Sequence, residues 1–304
     1  MAEPPLTTKE RIVNVLARSV LAAALLLPYA ARVRTFGWVF ANVVAPLAGW
    51  RRRVERNLKL ALPDIGAAER ARLARIVPQN VGRTLIEIYS GEDFVARVKD
   101  ARQSGPGLAA LEAARDAGRP IILVTAHLGN YDAVRGTFTR QGYPIAALYK
   151  PMANRAFNDH YLKAISVIGS DLFPTDRQGI VGLVRHLKEG GVIGIVADVA
   201  STKAPVLSFF GQPAHTPLSA AEWAVQYDAL LVPVFGIRQK DGLGFEIRVE
   251  EPIAHGPAEE MMQRYNDVVE AIVREDPGQW FWIHNRWKLG RAFAAELAAS
   301  DGPS

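Results

Sequence analysis

The stretch best equipped for chemistry is Thr125-Ala126-His127-Leu128-Gly129-Asn130-Tyr131-Asp132, where an aspartate follows a histidine by five positions. In a continuous helix that spacing would set the two side chains about 140° apart, at roughly 100° per residue. The Gly129-Asn130 pair is a turn signal, so the chain can fold back and bring imidazole and carboxylate together. An imidazole oriented by a carboxylate is a general base, and a positioned base contributes about 10²–10⁴-fold to a rate. The plainer alternative, a surface or satisfied core pair, is commoner for a single His near an Asp. Context has to decide.

Other sites are excluded more firmly. The six histidines (127, 160, 186, 215, 255 and 284) do not cluster with carboxylates at metal spacing, so no metal site is expected. There is no phosphate-binding GxxxxGK[ST] loop, no HExxH zinc helix and no GxSxG elbow. The absence of cysteine removes thiol nucleophiles, cysteine zinc sites and disulfides. With no activated Ser or Cys in evidence, no covalent intermediate on the protein is expected, and the His-Asp pair would deprotonate a substrate hydroxyl directly.

Two further stretches stand out. In Ser208-Phe209-Phe210-Gly211-Gln212-Pro213-Ala214-His215-Thr216-Pro217, two aromatics, a glycine and two prolines predict a rigid loop before a helix. Its hydroxyl and backbone donors could hold a polar head group or phosphate at that helix N-terminus; the alternative is a plain structural turn. In Trp280 to Lys288, aromatics interleave with Arg286 and Lys288. Such a segment can stack on nucleobases, sit at a membrane interface, or pack in a core with its basic ends reaching outward. No standard nucleic-acid module accompanies it.

The elements that would position His127 can be read around it. Pro120-Ile121-Ile122-Leu123-Val124 is a buried strand running into the motif. Further strands are predicted over 144–149, 192–196, 230–237 and 245–249, with helices over 67–77 (ended by Pro78), 81–89, 108–117, 157–168, 180–188, 218–227 and 259–274. Strands spaced by helices indicate an α/β fold: one domain with a largely parallel or mixed central sheet flanked by helices. Gly190-Gly191-Val192-Ile193-Gly194 lies before its strand, the wrong side for a dinucleotide loop.

The N-terminus differs. Residues 1–10 are polar and expected to fray, then 19–31 and 35–50 are two uncharged pieces separated by Arg32 and Arg34. Each is shorter than the roughly 20 residues a spanning helix needs. With Trp38 and Trp50 at hand and Arg51, Arg52, Arg53, Arg56 and Lys59 following, the composition favours an apolar helical segment associated with an anionic membrane surface. A signal peptide or a buried helix pair is the alternative. We divide the chain into a membrane-associating segment, 1–50, and a catalytic domain, 51–304. The net charge of +5 favours anionic surroundings.

Taken in order, these blocks resemble the bacterial lipid A biosynthesis (late lauroyl/myristoyl) acyltransferases, within the wider glycerolipid acyltransferases with an H-x4-D motif. The resemblance rests on the apolar N-terminus, Arg56-Asn57-Leu58, His127 to Asp132, Tyr149-Lys150-Pro151, Phe209 to Ala214 with Thr216-Pro217, Pro233-Val234, and Gln279-Trp280 to Trp287-Lys288. It implies transfer of a fatty acyl chain from acyl carrier protein to a hydroxyl of a membrane glycolipid, at the cytoplasmic face of the bacterial inner membrane. It implies His127 and Asp132 as catalytic residues, and Asn130, Lys150, Asp198, Phe210, Gly211, Thr216 and Arg238 as substrate-binding candidates. No cofactor, metal or nucleic acid is expected. The chain departs from the family pattern where Ala197-Asp198-Val199-Ala200 replaces a Pro-Asp-Gln-Asp segment and where Lys150 replaces an arginine; both bear on the acceptor. Readings from other classes are a non-catalytic membrane-binding homologue and an esterase for the same lipids.

Overall fold

The computed structural model describes residues 6–288; the tail of the expected catalytic domain beyond 288 lies outside the described residues. Twelve α-helices are described: α1 (Thr8–Leu25), α2 (Tyr29–Val39), α3 (Ala45–Leu47), α4 (Trp50–Ala61), α5 (Ala67–Tyr89), α6 (Glu92–Val98), α7 (Leu108–Asp116), α8 (Tyr131–Arg140), α9 (Arg155–Ile168), α10 (Arg177–Lys188), α11 (Ser219–Gln226) and α12 (Ala258–Glu275). The strands are β1 (Arg102–Ser104), β2 (Ile121–Thr125), β3 (Ile145–Tyr149), β4 (Leu172–Pro174), β5 (Val192–Val196), β6 (Val206–Phe209), β7 (Gln212–His215), β8 (Leu230–Arg238) and β9 (Phe245–Val249).

Seven strands form one sheet in the order β1-β9-β8-β2-β5-β3-β4, and β6 pairs with β7 separately. Every neighbouring pair in the large sheet is parallel except β8–β9. A mainly parallel sheet is buried on both faces, which is why β2 is an unbroken apolar run. Ile122, Val124, Leu231 and Phe235 pack on one face with Ala220, Tyr265 and Val269. Ile121, Leu123, Val232 and Val234 pack on the other with Phe94, Leu111 and Val134. In such sheets ligands collect beyond the carboxyl ends of the strands, and β2 delivers His127 there.

Three expectations are corrected. The N-terminus is helical from Thr8: the Thr7 hydroxyl accepts from the Glu10 amide, and the Glu10 carboxylate accepts from the Thr7 amide at 2.8 Å. This reciprocal cap satisfies two donors that a helix start otherwise leaves open. Pro78 does not end its helix; α5 runs through it. A proline inside a helix costs about 3 kcal/mol, but Leu73, Val77 and Ile86 on either side are buried in the core, and that burial outweighs the lost backbone bond. The loop expected over 208–217 is instead a hairpin, β6–β7, with Phe209 registered on Gln212 across Phe210-Gly211. Both turn residues have positive φ, 55° and 67°, as a two-residue hairpin of matching twist requires.

Among the described residues no helix is long and apolar enough to cross a membrane. The two uncharged N-terminal pieces fold into α1 to α3, with a π-helical turn over Phe40–Val44. Leu21, Tyr29 and Val33 of this region are buried, while Ile12, Val13, Val15, Leu16 and Val20 of α1, then Leu26, Trp38 and Leu47, are exposed.

Candidate active site

The loop after β2 is fixed by backbone bonds on two sides. Gly129 donates to the Gln279 carbonyl at 3.0 Å, Asn130 donates to Gly236 of β8 at 2.9 Å, and Phe281 donates to the His127 carbonyl at 2.9 Å. Gly129 has φ of 57°, and a β-carbon there would overlap the Gly236 carbonyl oxygen. Only glycine meets both conditions. Asn130 then caps α8, its side-chain oxygen accepting from the Asp132 amide at 3.0 Å.

His127 is held by Asp198. Its Nδ1 lies 2.8 Å from Asp198 Oδ1, and its backbone amide donates to Asp198 Oδ2 at 2.9 Å. The Trp280 indole N–H donates to the same Oδ2 at 2.9 Å. A carboxylate facing Nδ1 places the proton on Nδ1 and leaves the Nε2 lone pair on the far side of the ring. Phe281 and Tyr131 flank the imidazole, with ring centroids 5.8 Å and 5.4 Å away. Burial acts to lower the His127 pKa, but the charge and hydrogen bond of Asp198 outweigh it and hold the imidazole above its ordinary value. Burial likewise acts to raise Asp198, but His127 and the Trp280 N–H hold the carboxylate below its usual range.

Although the site lies deep, 32% of the His127 side chain remains accessible, and that surface faces two cavities. The smaller, about 200 Å³, lies between α5 (Val77, Val81, Leu85, Ile88) and the 279–281 segment. The larger, about 480 Å³, runs between one face of the sheet (Leu123, Thr125, Ile145, Ala147, Gly194, Val196) and helices α8 and α9. Their linings are mainly hydrophobic. Among the described residues, only His127 and Tyr131 line both.

The expected His127–Asp132 pairing is not what the structure shows. Asp132 Oδ1 accepts from Arg135 Nε at 3.0 Å and from its Nη2 at 2.7 Å, a buried ion pair within α8 that lines the larger cavity. The i,i+3 spacing on the helix makes this the local partner. Asp198, expected at the substrate, takes the orienting position. Lys150 is exposed at the rim of the larger cavity.

The remaining binding candidates are occupied elsewhere. The Asn130 amide N–H donates to Glu87 at 2.9 Å and is fully buried. Arg238 is closed in a buried pair with Glu87, one bond of which is 2.7 Å, and also contacts Thr84. Phe210 packs against Trp280, Trp282 and Trp287. The Thr216 hydroxyl donates to the Ala214 carbonyl and accepts from Arg286 at 2.7 Å. Neither these residues nor Gly211 line the two cavities. The aromatic tail is thus core: Trp280 and Trp282 are buried, with the first serving Asp198. Glu87 was missed from sequence; the available signal was one carboxylate among Thr84-Leu85-Ile86 and Ile88. Among the described residues no group of three or more His, Cys, Asp or Glu is placed to hold a metal.

Comparison with known proteins places the chain among acyltransferases. The chain is 26% identical over 243 residues to the lipid A biosynthesis lauroyltransferase of Escherichia coli K12, covering 77% of this chain and 78% of that protein. It is 23% identical over 263 residues to a lipid A biosynthesis acyltransferase of Haemophilus influenzae, covering 83% and 82%. Identity to the phosphatidylinositol mannoside acyltransferase of Mycolicibacterium smegmatis is 25% over 272 residues, covering 79% and 89%. The widest match decides the family: residues 5–289, which include both His127 and Asp198, fit the sequence profile of the bacterial lipid A biosynthesis acyltransferases, and the chain belongs to that family.

Proposed function

We propose that this acyltransferase moves a fatty acyl chain from an acyl carrier protein thioester to a hydroxyl of a lipid A-type glycolipid, without a covalent acyl-enzyme. The observation that carries the mechanism is the His127–Asp198 pair, whose Nε2 side meets two apolar cavities. In the reaction, Nε2 takes the acceptor hydroxyl proton as the oxygen attacks the thioester carbon. The tetrahedral intermediate collapses, the carbon–sulfur bond breaks, and the imidazolium returns the proton to the departing thiolate. Asp198 holds the tautomer and stabilises the imidazolium. Asp132 acts on the wall of the larger cavity through Arg135.

We assign the donor's acyl chain to the larger cavity, whose volume is in the usual range for a ligand pocket. The smaller cavity, against α5, takes the apolar part of the acceptor. No cofactor enters this scheme. An acidic carrier protein and an anionic lipid both suit a chain of net charge +5.

The exposed apolar face of α1, the exposed Trp38 and Leu47, and the exposed Arg11, Arg18, Arg34 and Arg52 suit a surface lying on an anionic bilayer. This supports work at the cytoplasmic face of the bacterial inner membrane, with residues 1–50 as the associating segment.

The test uses full-length enzyme, acyl carrier protein carrying a labelled chain, and a lipid A precursor. His127→Ala is expected to lower transfer by about 10²–10⁴-fold while leaving the fold intact. Transfer near the wild-type rate would overturn the assignment of the base. Labelled free fatty acid without acylated lipid would favour the esterase reading. A mannosylated phospholipid acylated in preference to the lipid A precursor would move the acceptor toward that of the mycobacterial relative.

A further inference from the structure

The wall of the larger cavity is built in layers. β2, β5 and β3 are adjacent and parallel, and residues two apart on each strand point to the same face. Val196 lies opposite Thr125 at the mouth, Gly194 lies between Leu123 and Ala147 below it, and Val192 lies between Ile121 and Ile145 below that. The lowest layer is closed: Ile121, Val192 and Ile145 are all buried. The middle layer is open because its central residue has no side chain.

Nothing in the backbone or packing accounts for glycine at 194. Its φ is not in the left-handed region, and a β-carbon there would meet nothing nearer than Ile145 Cγ2 at 3.8 Å. A glycine inside an interior strand weakens the strand, and it commonly marks close approach of a ligand or another backbone. No neighbouring chain atom makes that approach at Gly194, and the space above it is the cavity.

We propose that Gly194 sets the length of acyl chain this enzyme accepts. This rests on the reading of the larger cavity as the acyl-chain site. A chain entering past His127 descends along the sheet and passes over Gly194 to reach the Ile121, Val192 and Ile145 floor. From the Thr125 level to the floor is four residues of strand, about 13 Å, and a side chain at 194 would close the lower two residues, about 7 Å. Each methylene kept out of an apolar site weakens binding about fourfold.

The measurement is displacement of a fluorescent fatty acid from the full-length protein by saturated fatty acids of graded length, on wild type, Gly194→Ala and Gly194→Val. The same proteins are then given acyl carrier protein loaded with chains of the same lengths. Gly194→Ala adds one methyl into open space, so it decides the question if the valine variant does not fold. The expected result is a wild-type optimum at a definite length that moves to shorter chains in the alanine variant and further in the valine variant. The longest chains should lose about fourfold or more in affinity relative to the shortest. An unchanged optimum, or a uniform loss at every length, would overturn the role of Gly194 while leaving the cavity assignment standing. A wild-type protein that binds no fatty acid would overturn the cavity assignment, and the role of Gly194 with it.

Discussion

His127 and Asp198 each stand two residues beyond a registered pair, Thr125 on β2 and Val196 on β5. The Ala197 amide extends that register by donating to the Thr125 carbonyl at 2.9 Å. The orienting carboxylate is therefore supplied by the sheet, while the carboxylate nearer in sequence is tied to Arg135 along its own helix.

Asp198→Asn should lower kcat by about 10³–10⁴-fold, because an amide can hold the wrong tautomer and does not stabilise an imidazolium. It should also move the pH profile. In the wild type Asp198 holds His127 above its ordinary value, so the acid limb of kcat/KM lies above about pH 6.5. Removing the negative charge leaves burial, which lowers the imidazole pKa, so the limb shifts to lower pH. The pH dependence of kcat/KM for both proteins checks this; a limb that stays in place would show that Asp198 does not act on His127.

Asp132→Asn should behave differently. It leaves Arg135 buried without its charge partner, a loss of about 3–5 kcal/mol and a melting point lower by about 10 °C. The acid limb should remain where it was, since Asp132 makes no hydrogen bond to His127. Thermal melts and pH profiles on the same preparation separate the two aspartates.

Glu87→Gln tests the support beneath the motif. Glu87 accepts from both Arg238 and Asn130, so α5, β8 and the cap of α8 meet at one buried carboxylate. Neutralising it should cost about 3–5 kcal/mol. The double variant Glu87→Gln/Arg238→Gln should be more stable than the sum of the two single changes implies, as denaturant titration of the cycle would show.

Vesicle sedimentation tests the N-terminal surface. Replacing exposed Ile12, Val15, Leu16 and Val20 with serine removes about 1.5–3 kcal/mol for each side chain that enters the bilayer interface. Binding to anionic vesicles should fall more than tenfold with the fold unchanged by circular dichroism. Undiminished binding would show that α1 does not meet the lipid.

Sequence carried the five longer strands β2, β3, β5, β8 and β9, whose apolar runs are local signals, and not the short β1 and β4 or the β6–β7 hairpin. β5 and β9 fall at the expected residues, and the run before His127 is β2. His127 was legible for the same reason: a histidine just beyond a buried strand is a local pattern. Its partner was not, because Asp198 lies 71 positions away and reaches His127 only through the β2–β5 adjacency. No short-range feature encodes strand order. The same limit explains Arg238, expected at the substrate until Glu87 is placed 151 positions before it. Pro78 misled in the other direction: its local cost is real, but burial on both sides overrides it. At Phe210-Gly211, the aromatic pair obscured a hairpin turn, because a phenylalanine at positive φ is rare.

The dividing wall of His127 and Tyr131 has a kinetic consequence. If the donor chain and the acceptor occupy separate cavities, ester formation at the wall joins them into one molecule anchored on both sides. Such a product must withdraw from two apolar compartments at once, whereas each substrate had to enter only one. Its residence time would then exceed that of either substrate, and turnover would be paced by the lipid leaving, drawn out by whatever apolar phase receives it.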